Sequence, residues 1–139
     1  MIEKKLLNTI TVTLRWTDMD AYGHLGNSRF FDFMTDARVD VSTFAIMDDL
    51  SKQYVIVDAQ CSYKNACYYP GKLIVEQYLD EIRNSSFTLS YIFKMKDAPD
   101  VICAEGRVVM VCFDANLKRA VRVPNEIREL LAGSSCAAA

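Results

Sequence analysis

The sequence predicts a single domain of the α+β class, and three observations lead to this prediction. One segment with alternating apolar and polar residues precedes a long apolar segment with helical spacing. Four further strand-like segments follow the helical one. The connections between them are largely short, which is typical of an α+β domain. No repeat or linker divides the chain, so we expect one domain over residues 1–133 and a flexible tail at 134–139.

The first strand is predicted from Thr9 to Trp16. Its apolar side chains recur at every second position and face one way; they are Ile10, Val12, Leu14 and Trp16. This period of two residues indicates a half-buried strand. The next segment, Asp18 to Gly26, is rich in turn-forming residues and is expected to be an irregular loop.

A long helix is predicted from Asn27 to about Ala45, with a length of ~27 Å at ~1.5 Å per residue. Asn27 or Ser28 can cap it, because short polar side chains accept hydrogen bonds from the N–H groups of a first turn. The apolar residues recur at steps of four and three along one face; they are Phe30, Met34, Ala37, Val41 and Phe44. Such an apolar helix is expected to be enclosed by the rest of the domain.

The other four strands are predicted at Tyr54–Tyr63, Lys72–Arg83, Ser86–Met95 and Val101–Phe113, separated by turns that contain Pro, Gly, Asn or Asp. The small residues Ala104 and Gly106 would let a helix approach the last of these strands closely. Pro124 begins a short final helix that is expected to end at Gly133.

Composition and charge exclude several classes of function. Of the 139 residues, 51% are hydrophobic and 24% charged, as in ordinary soluble globular proteins. The net charge of −2 leaves no basic surface large enough for nucleic-acid binding as the main activity. No apolar run approaches the ~18 residues that span a bilayer. The first residues also lack a signal-peptide pattern, so we expect a cytoplasmic protein with no membrane partner.

The five cysteines and the single histidine predict no metal site. The cysteines include no C-x-x-C pair, and His24 is the only histidine, whereas zinc sites use closely spaced ligands that often include histidine. A core of this size needs no disulfide framework. We therefore expect free thiols, and neither a metal nor an organic cofactor.

The segment from Asp18 to Asn27 concentrates the residues that can carry chemistry. It holds two carboxylates, Asp18 and Asp20, one imidazole, His24, and the predicted helix start. Helix N-termini present unpaired N–H groups and partial positive charge, which can polarise a carbonyl or hold an oxyanion. A carboxylate just before such a terminus can act as a nucleophile or as a general base on water. The arrangement suits acyl transfer, although it lacks the Ser or Cys nucleophile of a triad hydrolase.

The same segment resembles the D-x-D-x-x-G-H-x-x-N signature of hotdog-fold thioesterases related to 4-hydroxybenzoyl-CoA thioesterase. The resemblance covers nearly the whole chain. Counterparts of the family's elements fall at the strand 54–63, the turns 69–72 and 83–85, the strand segment 104–106 and the helix start at 123–124. The resemblance implies a hotdog fold, in which a five-stranded antiparallel sheet curls around the long central helix.

The resemblance also implies an acyl-CoA thioesterase that needs no cofactor. Asp20 matches the family's catalytic carboxylate, and Asn27 matches the position whose backbone N–H faces the thioester carbonyl. His24, the third candidate catalytic residue, would transfer protons or only orient the loop. Asp20 would attack the carbonyl to form a mixed anhydride or activate water against it, and both routes stay open. Similar proteins form homodimers or homotetramers with active sites at the subunit interface.

Six further residues are predicted to bind substrate: Asp18, Tyr22, Phe30, Asp58, Gln60 and Arg83. Each has a structural alternative. Asp18 in particular could hold the loop together, because turn aspartates commonly bond nearby backbone. Asp20 could likewise serve only to close an Asx turn. Arg83 is a candidate phosphate contact together with Lys64, Lys94 and Arg119, and all four are otherwise ordinary surface charges.

Three positions depart from related sequences and keep other functions open. Gly26 stands where many relatives have Asn, and Phe30 stands where they have Tyr. Tyr22 stands where plant acyl-carrier-protein thioesterases have Asn. Gly26 and Phe30, which stand where relatives are polar, favour an alternative in which the chain binds an acyl-CoA or acyl-carrier ligand without hydrolysing it. A purely structural dimerisation domain is a second alternative, and a hydratase is disfavoured because its Asp and His are spaced differently from Asp20 and His24.

Overall fold

Two helices and six strands make up the parts of the chain that the computed structural model describes, residues 4–41 and 52–132. The strands are β1 (Lys5–Thr13), β2 (Lys52–Tyr63), β3 (Lys72–Ile82), β4 (Ser86–Met95), β5 (Ala104–Asp114) and β6 (Arg119–Ala120). The helices are α1 (Asn27–Asp40) and α2 (Asn125–Ala132). A short 3-10 helix occupies Trp16–Asp18. The predicted α+β class is confirmed.

The strands form one antiparallel sheet in the order β1-β3-β4-β5-β2, and β6 pairs with the end of β5. The five predicted strands are all present, and β6 is an additional short strand that the prediction did not include. The chain turns back after β5, with Lys118 at a φ of 54°, and Arg119 then pairs with Asp114. A strand of two residues is too short to show an alternating pattern in the sequence.

One face of α1 packs against the sheet, as the helical spacing predicts, whereas Asp32, Asp36 and Asp40 are exposed, so the helix is not enclosed as expected. The residues of α1 that are buried are Phe30, Phe33, Met34, Ala37 and Arg38. Alternate residues of β4 complete the core beneath the helix; Phe87, Leu89, Tyr91 and Phe93 are all fully buried. Each such side chain contributes about 1.5–3 kcal/mol through the hydrophobic effect.

Gly106 lets α1 lie close to β5, as its small size predicts. A Cβ atom at this position would collide with Met34 Cε and would lie 3.0 Å from Met34 Sδ. Met34 is itself almost completely buried. A side chain at position 106 would therefore require the end of the Met34 side chain to shift within a filled core.

A buried network of hydrogen bonds connects the second half of α1 to the sheet. The hydroxyl of Tyr91 accepts a hydrogen bond from Arg38 Nη1 at 3.1 Å and donates one to Gln77 Oε1 at 2.5 Å. Gln77 Nε2 donates to the backbone oxygen of Ala37 at 3.1 Å and to Asn8 Oδ1 at 2.8 Å. These bonds satisfy polar groups that burial would otherwise leave unpaired.

The first strand ends earlier than the sequence predicts. β1 stops at Thr13, and Trp16 begins the 3-10 helix instead of continuing the strand. Trp16 is 66% exposed and meets the ring of Tyr69 edge-to-face at 5.9 Å. Its predicted place on the buried face of the strand was therefore wrong.

The ends of α1 also differ from the prediction. Gly26 is the N-cap residue, so Asn27 is the first helical residue and neither it nor Ser28 caps the helix. The helix ends at Asp40. The predicted continuation to Ala45 lies outside the described residues.

β2 is an edge strand whose only neighbour in the described sheet is β5. The side chains of Val55, Ile56 and Val57 are all exposed, so buried and exposed residues do not alternate in this part of the strand. A register shift between Ile56 and Asp58 interrupts the alternation. An exposed apolar edge of this kind can pair with another strand.

The last helix begins directly after Pro124, as predicted. Its predicted end at Gly133 and the tail at 134–139 lie outside the described residues, so the proposed division of the chain into domain and tail stays a prediction. Within residues 4–41 and 52–132, no helix is long and apolar enough to cross a bilayer.

Candidate active site

Asp18 holds together the loop that connects β1 to α1. Its carboxylate accepts hydrogen bonds from the Arg15 backbone N–H at 2.8 Å and from Arg29 Nε at 3.0 Å. Arg15 Nη2 and Arg29 Nη2 lie 3.1 and 2.9 Å from the same carboxylate. The side chain of Asp18 is only 2% exposed. A buried carboxylate with two guanidinium partners is a structural ion pair, since a buried charge requires such compensation.

The electrostatic surroundings of Asp18 keep it ionised. Burial alone would raise the pKa of this carboxyl group. The hydrogen bonds from Arg15 and the charges of Arg15 and Arg29 outweigh that effect, so the pKa of Asp18 lies below its ordinary value.

Asp20 forms an Asx turn with one of its carboxylate oxygens. Its Oδ1 accepts hydrogen bonds from the backbone N–H groups of Tyr22 at 2.8 Å and His24 at 3.1 Å. The backbone N–H of Asp20 donates to the His24 oxygen at 2.7 Å, and Gly23 completes the turn with a φ of 79°. Oδ2 accepts no hydrogen bond from the described residues. Asp20 therefore fits its structural alternative and still presents a free carboxylate oxygen.

The connection between β2 and β3 fixes the other side of this loop. The Leu25 N–H donates to the Cys67 oxygen at 2.9 Å, and His24 forms an isolated antiparallel bridge with Tyr68. The rings of His24 and Tyr68 also meet edge-to-face at 5.1 Å. Two segments far apart in the sequence are thus held side by side.

The first turn of α1 has two N–H groups available to a ligand. The Gly26 N–H donates to the Asp18 oxygen and the Arg29 N–H donates to the Gly26 oxygen, both at 3.0 Å. The N–H groups of Asn27 and Ser28 find no acceptor among the residues that the structure describes. Gly26 has no side chain with which to cap them. The helix start can therefore donate two hydrogen bonds to an incoming oxygen atom.

A cleft of about 270 Å³ opens between the loop, the start of α1 and the β2–β3 connection. It is lined by Asp20, His24, Leu25, Asn27, Phe30, Tyr63, Lys64, Asn65, Ala66 and Cys67. All three predicted catalytic residues and one predicted substrate-binding residue, Phe30, thus line one cleft. Their chemical roles stay predictions.

The other predicted substrate-binding residues do not line the cleft. Asp18 is buried in its ion pair, and the side chain of Tyr22 is 85% exposed on the outside of the loop. Asp58 accepts a hydrogen bond from Gln60 at 2.9 Å and lies 3.8 Å from Arg107. Arg107 alternates along β5 with buried residues that face α1, so this group lies on the opposite face of the sheet.

Arg83 is distant from the cleft within one chain. It follows the last residue of β3, whereas the first residue, Lys72, adjoins the β2–β3 connection beside the cleft. The strand separates its two ends by ~33 Å at ~3.3 Å per residue. Arg83 is instead 3.5 Å from Glu81 in an exposed ion pair.

The β2–β3 connection from Tyr63 to Cys67 is the part of the cleft that the motif does not contain. Asn65 is anchored there by hydrogen bonds from its backbone N–H to the Cys103 oxygen at 3.0 Å and from Nδ2 to the Ile102 oxygen at 2.8 Å. Lys64, a candidate phosphate contact, pairs with Glu105 at 3.5 Å. Apart from the charge of Lys64, the sequence signal for this segment is its position at the end of a strand, where functional loops often begin.

The cysteines in the described ranges are free thiols, as expected; they are Cys61, Cys67, Cys103 and Cys112. Burial, with a smaller contribution from the adjacent Cys103 thiol, raises the pKa of Cys67 well above its ordinary value. Cys67 therefore contributes a neutral, apolar surface to the wall of the cleft. Across residues 4–41 and 52–132, no group of three or more His, Cys, Asp or Glu side chains is arranged to hold a metal ion.

The chain is similar in sequence and in fold to known proteins. The long-chain acyl-CoA thioesterase FadM of Escherichia coli is 24% identical over 124 residues, which are 86% of this chain and 93% of FadM. Among solved structures, the PA2801 protein of Pseudomonas aeruginosa superposes with a TM-score of 0.82 at 28% identity, over 89% of this chain and 97% of its own. A predicted thioesterase from Bacillus stearothermophilus superposes with a TM-score of 0.79 at 26% identity, over 91% and 94% of the two chains. A sequence model described as the thioesterase-like superfamily matches residues 14–131, and the chain therefore belongs to that superfamily.

Proposed function

We propose that the protein is an acyl-CoA thioester hydrolase whose active site is the cleft between Asp20 and the start of α1. One observation carries the proposal. Asp20, whose Oδ2 has no hydrogen-bond partner among the described residues, lines the same cleft as Asn27, and Asn27 and the adjacent Ser28 each have an N–H group without an acceptor in the described part of the chain. Acyl transfer requires both a nucleophile or base and a site that stabilises negative charge on the carbonyl oxygen.

In the proposed reaction, the thioester oxygen accepts hydrogen bonds from the N–H groups of Asn27 and Ser28. These donors and the helix dipole stabilise the negative charge that develops on this oxygen in the transition state. Oδ2 of Asp20 then attacks the carbonyl carbon, which expels the CoA thiolate and leaves a mixed anhydride that water hydrolyses. Alternatively, Asp20 removes a proton from a water molecule that attacks directly. Both routes consume one water and yield a carboxylic acid and CoA.

The two oxygens of Asp20 have separate tasks in this proposal. Oδ1 fixes the side chain through its bonds to the Tyr22 and His24 backbone, which limits the freedom of Oδ2. A carboxylate held in this way loses less entropy when it reaches the reactive geometry. The imidazole of His24 lies in the same cleft and is the candidate for proton transfer to the leaving thiolate.

An acyl chain can contact the apolar side of the cleft, which Leu25, Phe30 and Cys67 provide. Membership of the thioesterase-like superfamily and similarity to a long-chain acyl-CoA thioesterase support an acyl-CoA substrate. Thiol release from acyl-CoAs of different length and shape would identify the acyl group that the cleft accepts. Lys64 at the rim is the candidate for a phosphate contact.

We also propose that the protein acts as a homodimer or homotetramer. The exposed apolar residues of β2 lie on a sheet edge, and the same edge strand ends at Tyr63, which lines the cleft. Pairing of two such edges would cover this surface and bring a second chain close to each active site. A cytoplasmic location stays a prediction from the sequence.

The alternative function is non-catalytic binding of an acyl-CoA or an acyl carrier. The Asx turn favours it, because an aspartate that accepts two backbone hydrogen bonds has a sufficient structural reason to be present. The side chain of Phe30 packs against the rings of Tyr63 and Phe93 and has no polar group that could hydrogen-bond to a reacting thioester, which also favours this alternative.

Thiol release from short-chain, long-chain and aromatic acyl-CoAs separates the two functions. Asp20→Asn keeps an oxygen that can accept the bonds from Tyr22 and His24, so the loop should fold normally. We expect this variant to lose at least ~10²-fold in kcat if Asp20 is the nucleophile or base. Glu129→Gln, an exposed carboxylate-to-amide change on α2, is the control and should keep full activity. Binding of acyl-CoA without thiol release by the wild type would establish the alternative instead.

A further inference from the structure

Tyr63 connects the edge strand β2 to the first turn of α1. It is the last residue of β2, and its hydroxyl donates a hydrogen bond to the backbone oxygen of Asn27 at 3.1 Å. Its ring meets Phe30 edge-to-face at 5.2 Å, and Phe30 meets the buried ring of Phe93 at 5.1 Å. The same residue therefore supports the side of the helix start and bonds to its backbone.

The oxygen to which Tyr63 donates belongs to the peptide group that also contains the Ser28 N–H. A hydrogen bond to a peptide oxygen polarises the whole peptide group, which makes its N–H a stronger donor. The Ser28 N–H is one of the two first-turn N–H groups that lack an acceptor within the described residues. Tyr63 can thus strengthen a donor that it does not itself contact.

The hydroxyl of Tyr63 remains protonated at neutral pH. Burial, with a smaller contribution from the nearby Cys61 thiol, raises the pKa of Tyr63 to about 12. A phenol has one proton to donate, and the Asn27 oxygen receives it. Tyr63 is therefore directed toward the helix backbone and is not a proton source for a ligand in the cleft.

We infer that Tyr63 is a positioning residue of the proposed hydrolysis, which fixes the first turn of α1 and strengthens the Ser28 N–H as a donor to the thioester oxygen. This inference rests on the proposed function. Tyr63 acts through the peptide group between Asn27 and Ser28, so its effect falls on the transition state, in which the oxygen is most negative.

The test compares Tyr63→Phe with the matched control Tyr69→Phe. Both tyrosines are 44% exposed, but the Tyr69 hydroxyl has no hydrogen-bond partner among the described residues. Tyr63→Phe keeps the ring that packs on Phe30 and removes only the hydroxyl. We expect kcat to fall about tenfold with KM within about twofold, a smaller loss than the ~10²–10³ of a deleted direct donor. Tyr69→Phe should match the wild type.

A second measurement examines the peptide group without any substrate. In ¹⁵N-labelled protein, Tyr63→Phe should move the amide resonance of Ser28, because the hydrogen bond to the preceding carbonyl is lost. Tyr69→Phe should leave that resonance in place. A role limited to general stability would lower the melting temperature without the selective change in kcat and at Ser28.

The outcomes separate this inference from the proposed function. Unchanged kcat in Tyr63→Phe, beside an inactive Asp20→Asn, would overturn the positioning role and leave the hydrolase proposal standing. An unmoved Ser28 amide would overturn the polarisation on which the role depends. A wild-type protein that releases no thiol from any acyl-CoA would overturn the proposed function itself, and the role of Tyr63 in it.

Discussion

Asp18 and Arg29 form an ion pair of 2.9 Å that ties the loop after β1 to the first turn of α1. Arg29 simultaneously pairs with Asp32 at 2.7 Å one turn further along the helix. The two carboxylates differ sharply in exposure, 2% for Asp18 and 57% for Asp32. One guanidinium group thus offers a direct comparison of a buried and an exposed ion pair beside the candidate active site.

Asp18→Asn should lower the free energy of unfolding by about 1–3 kcal/mol, because it leaves the bonds from Arg15 and Arg29 without a negative partner. Asp32→Asn should cost about 0–1 kcal/mol, since exposed ion pairs contribute little. Urea unfolding at neutral pH measures both variants. Equal losses in the two variants would contradict the structural role assigned to Asp18.

The contribution of Asp18 should disappear in acid. The pKa of Asp18 is lower in the folded protein than the ordinary value of 3.8. As the pH falls, the unfolded chain therefore takes up this proton before the folded chain does. The stabilisation is therefore fully present at neutral pH, begins to fall as the pH drops toward 3.8 and is lost once the pH passes below the folded-state pKa. The difference in unfolding free energy between wild type and Asp18→Asn should shrink over this range. A difference that stays constant or grows in acid would show that the pKa is not lowered.

Gly106→Ala should destabilise the protein by about 1–3 kcal/mol, because the added methyl group meets Met34 in a filled core. Met34→Ala creates a cavity and should cost about 2–5 kcal/mol alone. The double variant should be more stable than the sum of the two losses predicts, because the new methyl group enters space that Met34 has left. Thermal or urea unfolding of all three variants measures this coupling, and simple additivity would argue against the close approach of α1 and β5.

Val57→Lys should weaken association of the chain if β2 is the subunit interface. A lysine on an exposed strand edge opposes pairing with another edge. Val57 is 59% exposed, so the substitution should leave the fold intact. Val39→Lys is the matched control, since Val39 is 60% exposed but lies on α1. Analytical ultracentrifugation should show fewer dimers for Val57→Lys alone, whereas a wild type that is monomeric at high concentration would contradict the proposed oligomer.

Local patterns in the sequence determined much of the fold. The strand-like pattern and flanking turns of β4 predicted its bounds, Ser86 and Met95, correctly. The spacing of Phe30, Met34 and Ala37 predicted which side of α1 meets the sheet. These predictions succeed because the period of a helix or strand acts between residues that are close in the chain.

The motif also predicted which residues line one side of the cleft. Asp20, His24 and Asn27 lie within one loop and helix start, so the conformation of that short segment is enough to collect them. The predictions for Asp58, Gln60 and Arg83 rested on residue type alone. Such evidence cannot tell which face or end of a sheet a side chain occupies, and the structure puts all three away from the cleft.

The sequence by itself determined the class of fold, the side of α1 that faces the sheet and the loop that carries Asp20. Only the tertiary structure decided that Tyr63 and Cys67 form the opposite wall, that Arg29 neutralises Asp18, and that β2 is an exposed edge. The physical reason is the range of the interactions. Periodicity and turn preference act over a few residues, whereas strand order and charge pairing join segments that meet only after the whole sheet has formed.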